Sequence, residues 1–137
     1  MTSSVIPTLR YADARAMIDW LCSVLGFERR AVHEADDGTI LHAELVHGAG
    51  MVMVGEARDD DFGACQAPPS GGDARVTQSP YVVVTDIDRL YEAVKAAGAT
   101  VVMDLADKDY GSREFSCRDP EGHLWNFGTY DPWRTGV

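Results

Sequence analysis

Between Asp13 and Gly26 the apolar residues Met17, Trp20, Leu21, Val24 and Leu25 fall three and four apart, the spacing of one helix face. Asp13 is placed to cap the start of this helix and Gly26 to end it. Elsewhere in the first half the pattern shortens to alternation or to brief apolar runs. That predicts strands over 5–10, 27–34, 39–47 and 51–54. Asp36-Asp37-Gly38 and His47-Gly48-Ala49-Gly50 supply turns between them.

The second half repeats this order. Ile6-Pro7 recurs as Ser79-Pro80 and Asp13 as Asp86, both at an offset of 73 residues, and Gly26 recurs as Gly98. Ile87, Leu90, Val94 and Ala97 form the second helix stripe. Strands are predicted over 81–84, 100–103, 112–117 and 124–129, with Asp119-Pro120-Glu121-Gly122 as the last turn. The repeated order β-α-β-β-β predicts one α+β domain over 1–137, built of modules 4–56 and 79–130, each helix covering one face of its sheet. The connector 57–78 carries Asp59-Asp60-Asp61, Pro68-Pro69-Ser70 and Gly71-Gly72. A polar segment of that length is either a functional cover or a stretch without fixed structure.

The chain is long enough to bury a real core. It has no apolar run of bilayer length, and Met1-Thr2-Ser3-Ser4 lacks the pattern of a signal peptide. Cys22, Cys65 and Cys117 are odd in number and unpaired in spacing, which points to reduced thiols and a cytoplasmic location. The net charge of −10 would repel phosphate backbones, so nucleic acid is not an expected partner. The same charge either draws in a cationic small molecule or only keeps the chain soluble.

Several motifs are shared with a known family. In the first half they are Ile6-Pro7-Thr8-Leu9-Arg10-Tyr11, Ile18-Asp19-Trp20 through Leu25-Gly26-Phe27, and His42-Ala43-Glu44-Leu45. In the second they are Val84-Thr85-Asp86-Ile87-Asp88 through Ala97-Gly98-Ala99, and Asp119-Pro120-Glu121-Gly122-His123-Leu124-Trp125. In these the chain resembles the vicinal oxygen chelate superfamily of glyoxalase I, extradiol dioxygenases and bleomycin-resistance proteins. The resemblance implies a cup-shaped sheet of eight strands, helices on the outside, and pairing into a homodimer. It also implies four metal-ligand positions, two per module, which fall here on Ile6, Met53, Ser79 and Asn126. Ile6 has no donor, Met53 offers a thioether, and Ser79 and Asn126 are neutral, so nothing balances a divalent ion. No metal and no other cofactor is therefore expected, as in the metal-free bleomycin-resistance-like members.

Alternation from those four positions sends Thr8, Arg10, Met51, Met53, Tyr81, Val83, Leu124 and Asn126 toward the cup. Leu9, Val52, Val54, Val82, Val84, Trp125 and Phe127 take the opposite parity and read as core. On the third strand Leu41, Ala43 and Leu45 form an apolar face, and His42 with Glu44 a polar one. Carried across by 73 residues, the latter pair becomes Phe115 and Cys117. Tyr81 and Phe115 beside His42 and Glu44 would suit a planar ligand, with Arg10 at the mouth. The expected function is metal-free binding and sequestration of a planar or cationic small molecule, without catalysis. The alternative is a glyoxalase-like metal-dependent lyase, isomerase or dioxygenase with a non-standard site. A metal-free use of His42 and Glu44 as an acid–base pair is a further reading.

Overall fold

A computed structural model describes residues 2–69 and 75–134. The chain divides into two compact units, one ending at Pro68 and the other beginning at Pro69. The first holds β1 (Thr8–Tyr11), α1 (Ala14–Ser23), β2 (Glu28–Glu34), β3 (Ile40–His47) and β4 (Gly50–Glu56). The second holds β5 (Tyr81–Val83), α2 (Ile87–Ala96), β6 (Thr100–Asp107), β7 (Arg113–Arg118) and β8 (Leu124–Gly128). Both are thus βαβββ modules, as the repeat predicts. Their sheets have matching orders, β1-β4-β3-β2 and β5-β8-β7-β6, and in each the first and last strands run parallel.

The helix signals work as read. The Asp13 side chain accepts from Ala16 N, and Gly26 and Gly98 hold the positive φ that lets the chain leave each helix. Asp86 stands at the second cap but makes no side-chain capping bond to the helix. In the first unit Met17, Ile18 and Leu21 of α1 are buried with Leu9, Tyr11, Ala43, Leu45, Val52 and Val54 of the sheet. In the second, Ile87 and Val94 of α2 are buried with Phe115, Cys117, Trp125 and Phe127. The opposite strand parity leaves Thr8, Tyr81 and Val83 exposed and Arg10, Met51, Met53, Leu124 and Asn126 half-buried.

Three expectations need correction. The first strand begins at Thr8 rather than at residue 5, and Val5 is almost fully exposed. Pro7 has no N–H for the ladder and contributes only its carbonyl, to Met53 N at 2.9 Å. Leu41 is exposed instead of core, because the β2–β3 register jumps from His33↔His42 to Glu34↔Ile40. The extra residue of this bulge is Leu41, and Ile40 takes the buried place.

Third, Phe115 and Cys117 lie in the core and line no open face; each is at most 1% exposed. Met53 and Asn126 keep the offset of 73, but their strand partners Glu44 and Ser116 do not. Eight residues separate Glu44 from Met53 and nine separate Ser116 from Asn126. The longer turn before β8 slips the register by one residue, and a one-residue slip exchanges the faces of a strand. Ser116 therefore stands where Cys117 was expected, and Glu114 where Phe115 was.

The first part of the connector is ordered. Arg58 donates to the carbonyls of Ile40 and Leu41 at 3.5 and 3.3 Å, and a run of turns over 61–65 brings Gln66 back to β1. The stretch Gly71-Gly72 lies outside the described residues.

Candidate functional site

Two adjacent strands, β1 and β4, carry side chains on the face that α1 does not cover. Thr8 pairs with Met53 and Arg10 with Gly55, so a polar and a soft apolar side chain alternate with a position that has none. The gap matters. A Cβ at Gly55 would lie 2.8 Å from Arg10 Nη1 and 3.2 Å from the Leu41 carbonyl oxygen. The glycine gives the guanidinium room to lie close to the sheet, where Arg10 Nη1 donates to the Glu56 carbonyl at 3.0 Å. The Glu56 carboxylate in turn accepts from Ala14 N at 3.1 Å and from Ile40 N at 2.8 Å. One acidic residue thus ties the start of α1 to the bulged end of β3, and its backbone holds Arg10.

The connector closes over this floor. The Arg10 guanidinium carbon lies 4.7 Å from the Phe62 ring centroid, a cation–π contact. Gln66 Nε2 donates to the Thr8 carbonyl at 2.9 Å, and Thr8 Oγ1 donates to Gln66 Oε1 at 3.3 Å. The result is a cleft of about 90 Å³ lined by Thr8, Arg10, Leu41, His42, Met53 and Phe62, with Leu9, Val54 and Gly55 completing it. Leu41 reaches the cleft only because of the bulge. Phe62 is the one aromatic residue of the connector, and that was the signal in the sequence that could have placed it here.

At the rim, His42 Nε2 lies 3.0 Å from Glu44 Oε2, and Arg30 Nη1 donates to Glu44 Oε1 at 2.6 Å. A carboxylate only accepts, so Nε2 carries the proton in this bond. His33 stacks on His42, with centroids 6.0 Å apart. The hydrogen bond from His42, then that from Arg30, holds the Glu44 carboxyl below the usual glutamate range. A carboxylate with a depressed folded-state pKa stabilises the fold above its unfolded pKa and loses that contribution as pH falls through the folded one. Glu44→Gln should therefore flatten the acid limb of the stability–pH curve. Denaturant titrations from neutral pH to below the glutamate range check this, and parallel curves would count against it.

The predicted residues of the second unit behave differently. Tyr81 and Asn126 are register partners on β5 and β8. The Tyr81 ring rests over Gly128, where a Cβ would lie 2.2 Å from the hydroxyl, and that hydroxyl donates to the Tyr130 carbonyl at 2.8 Å. Asn126 Oδ1 accepts from Ser116 Oγ at 2.7 Å, while its Nδ2 donates to Ser79 Oγ at 2.8 Å and to the Pro80 carbonyl at 3.0 Å. Burial pushes the Cys117 thiol up to about 12, so it is not a nucleophile at neutral pH.

The four positions that would hold a metal do not fit one. Ile6 and Met53 bring a hydrocarbon and a thioether. Ser79 and Asn126 are neutral, and their polar atoms are bonded to each other and to neighbours. Among the described residues no group of three or more His, Cys, Asp or Glu is arranged to hold an ion. Met51 lies on the same face as Met53 but outside the cleft. No helix among the described residues is long and apolar enough to cross a membrane.

Comparison with known proteins places this architecture. Residues 5–127 match the Glyoxalase/Bleomycin resistance protein/Dioxygenase superfamily. The chain is similar to the uncharacterized protein Rv0887c of Mycobacterium tuberculosis, 31% identical over 89% of this chain and 71% of that one. It is similar in structure to TioX from Micromonospora sp. ML1, with a TM-score of 0.73 and 36% identity over 93% of this chain and 98% of that one. The fosfomycin resistance protein FosX from Listeria monocytogenes shares the fold, with a TM-score of 0.70 at 11% identity over 100% of this chain and 98% of that one. On the match across 5–127 and the identity shared with these relatives, the chain belongs to the glyoxalase/bleomycin resistance protein/dioxygenase superfamily.

Proposed function

We propose that the protein binds a planar small molecule without a metal and withholds it, unchanged, from its target. The observation that carries this reading is the cleft of the first unit. Its floor offers a thioether and a leucine beneath the Phe62 ring of the connector, and its polar groups are few: Thr8, Arg10 and His42. Apolar walls supply contact area and convergent polar groups supply orientation, the usual division of labour in a ligand site. The donor chemistry at Ile6, Met53, Ser79 and Asn126 supports the metal-free part of the reading. A second copy of the chain belongs to it too, as does a cytoplasmic location.

The test is a titration of chelator-stripped protein with a panel of planar heteroaromatic compounds, with recovery of the bound ligand. Saturable binding insensitive to chelator, and a ligand of unchanged mass, are the expected results; light scattering of the same samples should give the mass of a dimer. A requirement for added metal, or a converted ligand, would contradict the proposal. Conversion without metal would instead favour acid–base chemistry by His42, the reading that its 3.0 Å bond to Glu44 supports. His42→Ala would then abolish conversion and leave binding in place.

A further inference from the structure

The cleft carries its own indication of ligand charge. In a chain of net charge −10, the fixed charge among its lining side chains is the Arg10 guanidinium. A cation entering there would meet a like charge at short range, whereas an anion would meet the opposite one. A chain of acidic net charge thus places a cationic side chain in the lining of this cleft.

The strap over 58–66 adds a second observation. It sets a ring on the Arg10 guanidinium through Phe62. Asp60 accepts from Gly63 N at 2.7 Å and from Arg58 Nε at 3.3 Å, which shapes the strap around its own ring. An aromatic ring on this segment, folded onto the arginine, is a feature that a ligand for this floor would bring.

The strap is also built to yield. Its exposed anchors are the bonds of Gln66 to Thr8 and of Arg58 to the Leu41 carbonyl, the one to the Ile40 carbonyl being part-buried and 3.5 Å long, and Phe62 itself is 46% exposed. Exposed hydrogen bonds of this kind exchange with water at little net cost. Its conformation depends on Gly63, where a Cβ would lie 1.8 Å from the Arg58 carbonyl oxygen.

Resting on the binding reading above, we propose that the cleft takes a planar aromatic anion. The strap is its built-in competitor, with Phe62 occupying the place on Arg10 that the ligand's ring takes when bound. A ligand therefore enters by exchange with Phe62, and ligand affinity is set partly by how firmly the strap is held.

The experiment compares three probes of one shape on the intact protein: 2-naphthoate, neutral 2-naphthamide and the cation (2-naphthylmethyl)trimethylammonium. Calorimetry should show naphthoate binding the wild type about tenfold or more tighter than the other two, the usual scale for a charged hydrogen bond. Arg10→Gln should erase that preference. Gly63→Ala and Phe62→Ala, both on the exposed strap, should tighten naphthoate several-fold by releasing the competitor. Equal binding of all three probes, or preference for the cation, would overturn the anion assignment and leave the binding reading intact. Weaker naphthoate binding in Phe62→Ala and Gly63→Ala would make the strap a wall of the site and overturn the competitor role. Absence of binding by any probe to any variant would overturn this inference and the binding reading together.

Discussion

Phe115→Ala should cost about 3–5 kcal/mol of stability, the range for removing a buried phenylalanine. The ring is 1% exposed, stacked on Phe127 at 5.0 Å and edge-on to Tyr91 of α2 at 5.0 Å. Truncation leaves a cavity that two aromatic neighbours cannot refill in their present rotamers, and it removes two ring–ring contacts. Thermal or denaturant unfolding measures the loss. On an open ligand face the same substitution would change stability by only a few tenths of a kcal/mol and would show in ligand affinity. A stable Phe115→Ala protein with impaired binding would therefore refute the core placement.

Asp119→Ala should cost about 3 kcal/mol, because three donors lose their acceptor in a buried turn. Asp119 is 4% exposed. Its Oδ1 accepts from Glu121 N at 3.1 Å and from His123 N at 3.0 Å, and its Oδ2 accepts from Trp125 Nε1 at 3.0 Å. Trp125 is fully buried, so its indole N–H would be left without that acceptor and out of reach of bulk water. Asp119→Asn keeps the acceptor for the turn but sets an amide nitrogen against the indole if its oxygen faces the turn. An intermediate loss is expected there. Equal melting temperatures for wild type and Asp119→Ala would contradict the role of this carboxylate.

These two residues mark where the sequence could be read and where it could not. Asp119-Pro120-Glu121-Gly122 announces a turn from local chemistry alone, and alternation around it puts Trp125 and Phe127 in the core. Local periodicity likewise located both helices and the parity of β1, β4, β5 and β8. Phe115 failed because its face was carried over by symmetry instead of being read from its own strand. A repeat need not conserve turn length, and one inserted residue before β8 was enough to invert β7. Leu41 failed for a related reason, since a bulge breaks alternation without any composition signal of its own.

Half of the candidate site was legible. Thr8, Arg10 and Met53, placed by alternation from the former ligand positions, meet His42, placed by the polar face of the third strand, in one cleft. Phe62 and Leu41 were not foreseen, because a long-range fold-back of a polar connector and a bulge depend on tertiary contacts. The role of Gly55 was also hidden, because it lies in what is absent: a side chain there would displace Arg10.

Four side chains, two in each unit, leave a divalent ion without charged donors. Equilibrium dialysis of stripped protein against zinc, nickel and ferrous ions, with a planar aromatic ligand titrated in parallel, addresses this directly. The predicted result is no stoichiometric metal and a ligand affinity that is the same with chelator or with metal. Retention of one of these ions, lost together with ligand affinity in Ser79→Ala or Asn126→Ala, would contradict it.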